Sequence, residues 1–398
     1  MCAAFVDQFC FCAHSFTSFL IHPPDDDSHY HKTEFQKAVP YYQQALEIYK
    51  QLPDGEKSSD TAGSYNNLAV AVKHTGDFTG ALNHARQALS IRQETLGANH
   101  VDTATSHFTL GQIFSETGQY EAALEQFEAC LKIQIEARGA THTTTATTHN
   151  AIGAVHYEMG QFEKALEQYQ LGKNAFQKSL GKEAPQVADC WNNVGLTQVR
   201  LGQLDAALAS HETAEKILQA KYGDEHPTLA MTLGSIGTCY KQQKPVTPEN
   251  LDKALDYYKR SHQMLESALG EDHDMVGSSY NNMGQVLAMQ GKFDDALTVY
   301  RAALTIFTKV LGKEHIFVGS MNYNVGLVLQ QQDKKDAALE EYQQAYNIWK
   351  DKLGEDHPQT QLAEQAMTSL NKAGKFGEPK SSDKTSTESK DKTTSKSP

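Results

Sequence analysis

No apolar run in this chain approaches the ~20 residues that a membrane-spanning helix needs. Cysteine is sparse, six in 398 residues. Cys2, Cys10 and Cys12 stand at the extreme N-terminus, and Cys130, Cys190 and Cys239 are scattered singly. That is the pattern of a reduced, cytosolic protein and excludes a disulfide framework. Positive charge is in deficit. Lys and Arg number 36 against 49 Asp and Glu, a formal net charge of −13. This argues against nucleic acid or an anionic membrane surface as the main partner. Motifs that carry chemistry are missing as well. There is no nucleotide-binding glycine loop, no HExxH and no Cys-x-x-Cys, and no isolated Ser/His/Asp or Cys/His set outside the repeated pattern described next.

What the chain does have is one segment copied along its length. Residues 277–318 carry two apolar stripes at helical spacing: Tyr280, Met283, Gly284 and Leu287, then Phe293, Ala296, Leu297, Tyr300, Ala303 and Leu304. Each follows the i, i+3, i+4, i+7 rule of a half-buried helix. Gly291 lies between them and Gly312 after them, where tight turns need a residue without Cβ strain. The same register recurs at Tyr65–Leu68, Trp191–Val194 and Tyr280–Met283, followed by one small residue: Ala69, Gly111, Gly153, Gly195, Gly237, Gly284 or Gly326. The alanine that opens each second helix is Ala81, Ala123, Ala165, Ala207, Ala254, Ala296 or Ala338. These are spaced by 42 residues except for the 47 between Ala207 and Ala254. A lone hairpin cannot bury both of its stripes, so a fixed period of this size predicts an all-α solenoid of stacked hairpins.

Taken in order, residues 1–32 do not fit the repeat. They read as a poorly ordered leader or a short capping helix, as a secretory signal without the basic start and clean apolar centre one needs, or as a replacement for missing upstream sequence. His22, His29 and His31 beside Asp25, Asp26 and Asp27 read as a solvated loop, because they lack metal-ligand spacing on a scaffold. Residues 33–60 form a truncated repeat holding only its second helix, Phe35–Lys50. There Ala38, Tyr42, Ala45 and Leu46 match the later copies, and Pro40 demands a place near the helix start. Seven repeats occupy 61–373, with first helices of ~14 and second helices of ~18 residues. Lys244–Asn250 interrupts the fifth repeat, with Thr247 placed to cap the next helix and Pro248 at its first position. Six histidines recur three residues after the glycine that ends a second helix: His100, His142, His226, His273, His315 and His357, with Ala184 as the exception. One per repeat at one position marks loop or capping residues, not a catalytic site. Residues 374–398 are Lys, Ser and Thr with almost nothing apolar, and are expected to be disordered.

The residues Tyr280, Met283–Gly284, Gly291, Phe293, Ala296, Tyr300 and Ala303 stand at the signature positions of the tetratricopeptide repeat, which the pattern resembles over about residues 33–373. The ordinary unit of that repeat is 34 residues. The longer second helix here ends in LGKEH (311–315), LGEDHP (353–358) or YGDEHP (222–227), which looks like the kinesin light chain and nephrocystin-type subfamily. The resemblance implies a right-handed superhelix whose concave groove, lined by first helices, holds extended peptide segments of partners. For kinesin light chains those partners are cargo adaptors. By position it points to Asn66, Asn67, Asn150, Asn192, Asn193, Asn281, Asn282 and Asn324 as groove asparagines. Two features depart from that subfamily. No a/d heptads precede Phe35, so attachment to a kinesin heavy chain lacks its coiled coil. The groove cations are only Lys73, Arg200 and Lys241, set against Glu116, Glu158 and Asp189.

The asparagines have a case of their own. Asparagine suits a helix interior poorly, because its amide competes for backbone hydrogen bonds. A row of amides can clamp a peptide backbone whatever its sequence, or can tie adjacent repeats together. Both roles stay open at this point. The functional expectation is a cytoplasmic, non-enzymatic adaptor for protein segments with no cofactor. Its alternatives are an architectural spacer, or an enzyme or metal protein whose site lies outside the repeats. A carboxylate-clamp cochaperone is disfavoured, since Lys73 and Arg200 lie three repeats apart.

Overall fold

The computed structural model describes residues 28–223 and 226–376. The expectations for residues 1–27, with His22, Asp25, Asp26 and Asp27 of the histidine–aspartate cluster, and for the tail beyond 376 lie outside the described residues; His29 and His31, expected in a loop, stand instead in the first turn of the first helix. Sixteen α-helices and one 3-10 turn account for nearly all of what is described, and no strand occurs among those residues. The chain divides into two compact units, residues 1–292 and 293–398.

The first unit begins with α1 (Ser28–Lys50) and continues as antiparallel hairpins. These are α2 (Ser59–Thr75) with α3 (Phe78–Thr95), α4 (Val101–Glu116) with α5 (Tyr120–Arg138), and α6 (Thr143–Glu158) with α7 (Phe162–Leu180). Next come α8 (Pro185–Arg200) with α9 (Leu204–Tyr222), α10 (Pro227–Gln242) with α11 (Pro248–Leu269), and finally α12 (Asp274–Met289). In the second unit α13 (Phe293–Leu311) precedes the hairpin of α14 (Ile316–Gln331) and α15 (Lys335–Leu353), on which α16 (Pro358–Phe376) packs. Within each unit every helix packs on the one before and the one after, the architecture of an α-solenoid.

The hairpins close where the sequence places small residues against rings. A Cβ built on Gly111 would lie 2.7 Å from the Phe127 ring. On Gly153 it would lie 2.8 Å from Tyr169, on Gly195 2.6 Å from His211, and on Gly326 2.7 Å from Tyr342. The reference glycine is therefore the seat of a ring from the second helix. The first hairpin makes the opposite exchange, Ala69 facing Ala85 and both fully buried. Each buried ring or large aliphatic side chain contributes roughly 1.5–3 kcal/mol, so the stack rests on many similar contacts repeated along the chain.

Both kinds of helix end follow the sequence. Nδ1 of His100, His142, His226, His273 and His315 accepts the backbone N–H two residues on, each at 3.2 Å, and His357 does so at 3.3 Å. The recurring histidines are N-caps. Thr247 Oγ1 caps α11 through Asn250 N at 3.2 Å, with Pro248 at the first helical position. Asp333 takes the left-handed turn that glycine fills elsewhere, with φ 57° against 74° at Gly291. The expectation for Pro40 is corrected. α1 starts at Ser28, which puts Pro40 in the helix interior. The residue is exposed on the helix surface, and the bond it cannot make to the Gln36 carbonyl is lost there.

Candidate functional site

Take the small reference residue of each first helix as origin. Positions six and two before it, and one and five after it, share one face and stay exposed or half-buried in α6, α8, α10 and α12. In α8 these are Asp189, Asn193, Leu196 and Arg200. First helices also touch their successors, α2 with α4, α4 with α6 and α8 with α10, whereas consecutive second helices make no comparable contact. The first helices therefore form the inner side of the stack. Electrostatics agrees. The Asp189 carboxyl is exposed to water yet hemmed in by protein, and the resulting desolvation raises its pKa to about 6. Lys241 is half-buried, and burial alone lowers its pKa. A side chain that is wet on one side and surrounded on the others is what a hollow wall produces.

The asparagines divide by register. Those three residues before the origin point along the stack. Asn150 Nδ2 donates to Cys190 Sγ at 3.0 Å, and Asn192 Nδ2 donates to Thr232 Oγ1 at 2.7 Å. In each case the partner is the buried residue 40 positions on, in the next first helix. Asn192 Oδ1 meets His211 Nδ1 at 3.1 Å, so both ends of this amide are engaged inside the protein. Asn66 occupies the same register and is buried, but its Oδ1 has no partner, and Ser106, the residue 40 on, accepts from Arg92 at 2.8 Å. Those two residues before the origin face outward. Asn67, Asn193 and Asn282 are half-buried, and no hydrogen bond to other described residues engages their amides. Asn281 and, in the second unit, Asn324 both have partners within the chain.

The cations divide too. Lys73 is buried and bonded to Glu116 of α4 at 2.5 Å, so it offers the inner face no free charge. Lys241 Nζ donates to Gln285 of α12 at 2.6 Å, with no carboxylate in ion-pair distance. Arg200 is exposed, its guanidinium 4.7 Å from the centre of the Phe162 ring and 5.6 Å from that of Tyr157. Sequence reasoning missed two recurrent links. Gln243, Gln290 and Gln332 each donate to the aspartate 38 residues earlier, Asp205, Asp252 and Asp294. Thr61, Thr103, Thr145 and Thr360 each donate to the carbonyl of the glycine six residues earlier. Aligning the repeats shows each residue type recurring in register, and only the structure shows that they meet.

An open hollow of about 350 Å³ lies where α10, α11 and α12 meet, with Met231, Leu265 and Met275 among its walls and Asn282 at its edge. Among the described residues the unpaired thiols, Cys130, Cys190 and Cys239, are all buried, and burial pushes each up to about 11, so they stay protonated at neutral pH. Among the described residues no cluster of three or more His, Cys, Asp or Glu is placed to hold a metal ion, and no helix is long and apolar enough to cross a membrane.

The tetratricopeptide repeat family matches this chain at residues 60–136, 121–178, 144–220, 186–244 and 249–309, and again at 323–359 and 27–56. The chain belongs to the tetratricopeptide repeat family. The match at 27–56 extends it across α1, ahead of the first full hairpin. Two solved structures share the fold. BtubC (BKLC) from P. vanneervenii is 23% identical with a TM-score of 0.50, covering 61% of this chain and 92% of its own. The apo form of RapI is 16% identical with a TM-score of 0.52, covering 76% and 98%. Tetratricopeptide-like repeats of a Podosopora anserina kinesin light chain-type protein are 19% identical over 55% of this chain and 98% of their own, at a TM-score of 0.44. No curated protein matches the chain significantly.

Proposed function

We propose that this protein is a non-enzymatic scaffold that holds extended segments of partner proteins along the inner face of its first unit. The observation that carries the reading is the outward row of asparagine amides, Asn67, Asn193 and Asn282, left without partners while the adjacent row bonds the stack. An unengaged amide on a half-buried surface can donate to one peptide carbonyl and accept from one peptide N–H, so it reads backbone and not sequence. Lys241 and Arg200 add positive charge without bound carboxylates, which suits segments carrying an acidic residue. The reduced cysteine pattern and net acidity fit a cytoplasmic adaptor, and the resemblance to kinesin light chains makes motor-linked cargo one class of partner.

The test is capture from lysate by the full chain and by its Asn193→Asp/Asn282→Asp double variant, with circular dichroism confirming equal helicity. Loss of a discrete set of partners from the variant supports the inner face as the binding site, and kinesin heavy chain among the captured proteins would support the motor-linked role. Identical captures from both baits would leave the asparagines without a role in recognition and favour an architectural spacer.

A further inference from the structure

We propose that the hollow at Gly234 is a specificity subsite that takes an aliphatic side chain of the bound segment, while Lys241 holds a carboxylate of that segment. This rests on the peptide-binding reading above and names the chemistry that reading leaves open. The fifth repeat is the odd one out. Where Asn150, Asn192 and Asn281 stand in neighbouring first helices, α10 has Gly234. The missing side chain opens the hollow between α10, α11 and α12. A Cβ on Gly234 would meet only Ser261 Oγ, at 3.5 Å, so the space there is real and no ring fills it, unlike the seats of the reference glycines.

The hollow looks polar by composition and is apolar in effect. Ser261 Oγ donates to the Ala230 carbonyl at 2.7 Å, and Ser279 Oγ donates to the Val276 carbonyl at 2.7 Å and meets His262 Nδ1 at 2.8 Å. Thr238 Oγ1 donates to the Gly234 carbonyl at 3.0 Å and meets Tyr258 OH at 2.9 Å. Hydroxyls already engaged this way present their carbon atoms to the void. With Met231, Met275 and Leu265 they form a largely apolar wall, whose unengaged polar groups are Ser278 and Asn282. Two methionines let that wall adapt to leucine, isoleucine or methionine.

Lys241 sits one helical turn beyond Thr238 on α10, with Nζ 5.8 Å from the centre of the Tyr258 ring, whose side chain lines the hollow. Its one hydrogen bond is to the neutral Gln285. A half-buried ammonium facing only an amide and a ring gains from an anion that water and protein do not supply there. Asn282 at the edge of the hollow is placed to bond the backbone between the two anchored side chains.

The experiment selects random nonapeptides displayed on phage against the full chain. The recovered consensus peptide, fluorescein-labelled, is then measured by anisotropy against variants. Selected peptides are expected to carry Leu, Ile or Met at one fixed position and Asp or Glu within three residues of it. Gly234→Leu should weaken the consensus peptide about tenfold, and Lys241→Met about fivefold with loss of the salt dependence. Gly234→Ala keeps the fold and should shift the selected residue toward valine or alanine, which covers a Gly234→Leu chain that melts early. If peptides are selected and Asn282→Asp weakens them, but neither Gly234 variant nor Lys241→Met changes affinity or selection, the subsite is wrong and the peptide-binding reading stands. If no sequence is enriched over an unrelated helical repeat scaffold, both fall.

Discussion

Acid should open this protein at the hairpin of α8 and α9 before its neighbours, because of His211. The ring is fully buried against Gly195, its Nδ1 engaged by Asn192 and its Nε2 without a partner. Desolvation lowers its pKa from 6.5 to about 4. The folded state therefore holds this imidazole neutral while the unfolded chain takes up a proton. The stability it permits is whole above pH 6.5 and is lost as pH falls through 4. At about 1.4 kcal/mol per unit, the drop from pH 7.5 to 4.5 covers two units of that window, or about 2.7 kcal/mol. Asp189 on α8 works the other way, since its raised pKa makes the folded state gain stability below about 6. It is exposed and common to both proteins, so it cancels when wild type is compared with His211→Phe. Phenylalanine already fills the equivalent seat at Phe127. The assay is hydrogen exchange read by mass spectrometry on peptides from residues 185–222. The opening free energy of wild type relative to the variant should fall by about 2.7 kcal/mol between pH 7.5 and 4.5, with little change in α4–α5. Parallel pH dependences in the two proteins would refute the argument.

Gly195→Ala should cost about 2 kcal/mol in urea denaturation, because its Cβ lands 2.6 Å from His211 Nε2 within a packed core. Gly234→Ala should instead gain about 1 kcal/mol from helix propensity, since nothing nearer than 3.5 Å opposes the added methyl group. Equal effects at the two sites would break the link drawn here between glycine and ring. Asp333→Gly should raise the unfolding free energy of the second unit by about 1 kcal/mol in urea denaturation by relieving a left-handed residue at φ 57°. His142→Ala should cost about 1 kcal/mol and raise exchange most at the start of α6, where the cap to Thr144 N is lost.

The hairpins, their period and their helix ends were legible because each is local. A stripe at helical spacing, a glycine in a turn and a threonine before a proline carry their reasons within a few residues. Partners were not legible, for the same reason. Periodicity says which face Asn192 lies on, and only three-dimensional placement says that Thr232 and His211 meet its amide. The sequence grouped Asn192 with Asn193, and one residue of register sends them to opposite duties. Lys73 looked like groove charge until Glu116, one repeat away, closed on it. Pro40 misled because the helix runs back past Phe35 to Ser28, where no repeat stripe marks it. The hollow at Gly234 is an absence, and a missing side chain leaves no pattern to follow.

The links between successive first helices set how the first unit can deform. Lys73 with Glu116, Asn150 with Cys190, Asn192 with Thr232 and Lys241 with Gln285 fasten four of the five seams on one side. Across the outer side, α9 and α11 are joined by the solvent-screened pair of Glu215 and Arg260. Raising the salt concentration should therefore weaken the exposed outer pair and leave the amide-borne inner seams at Asn150 and Asn192 unchanged.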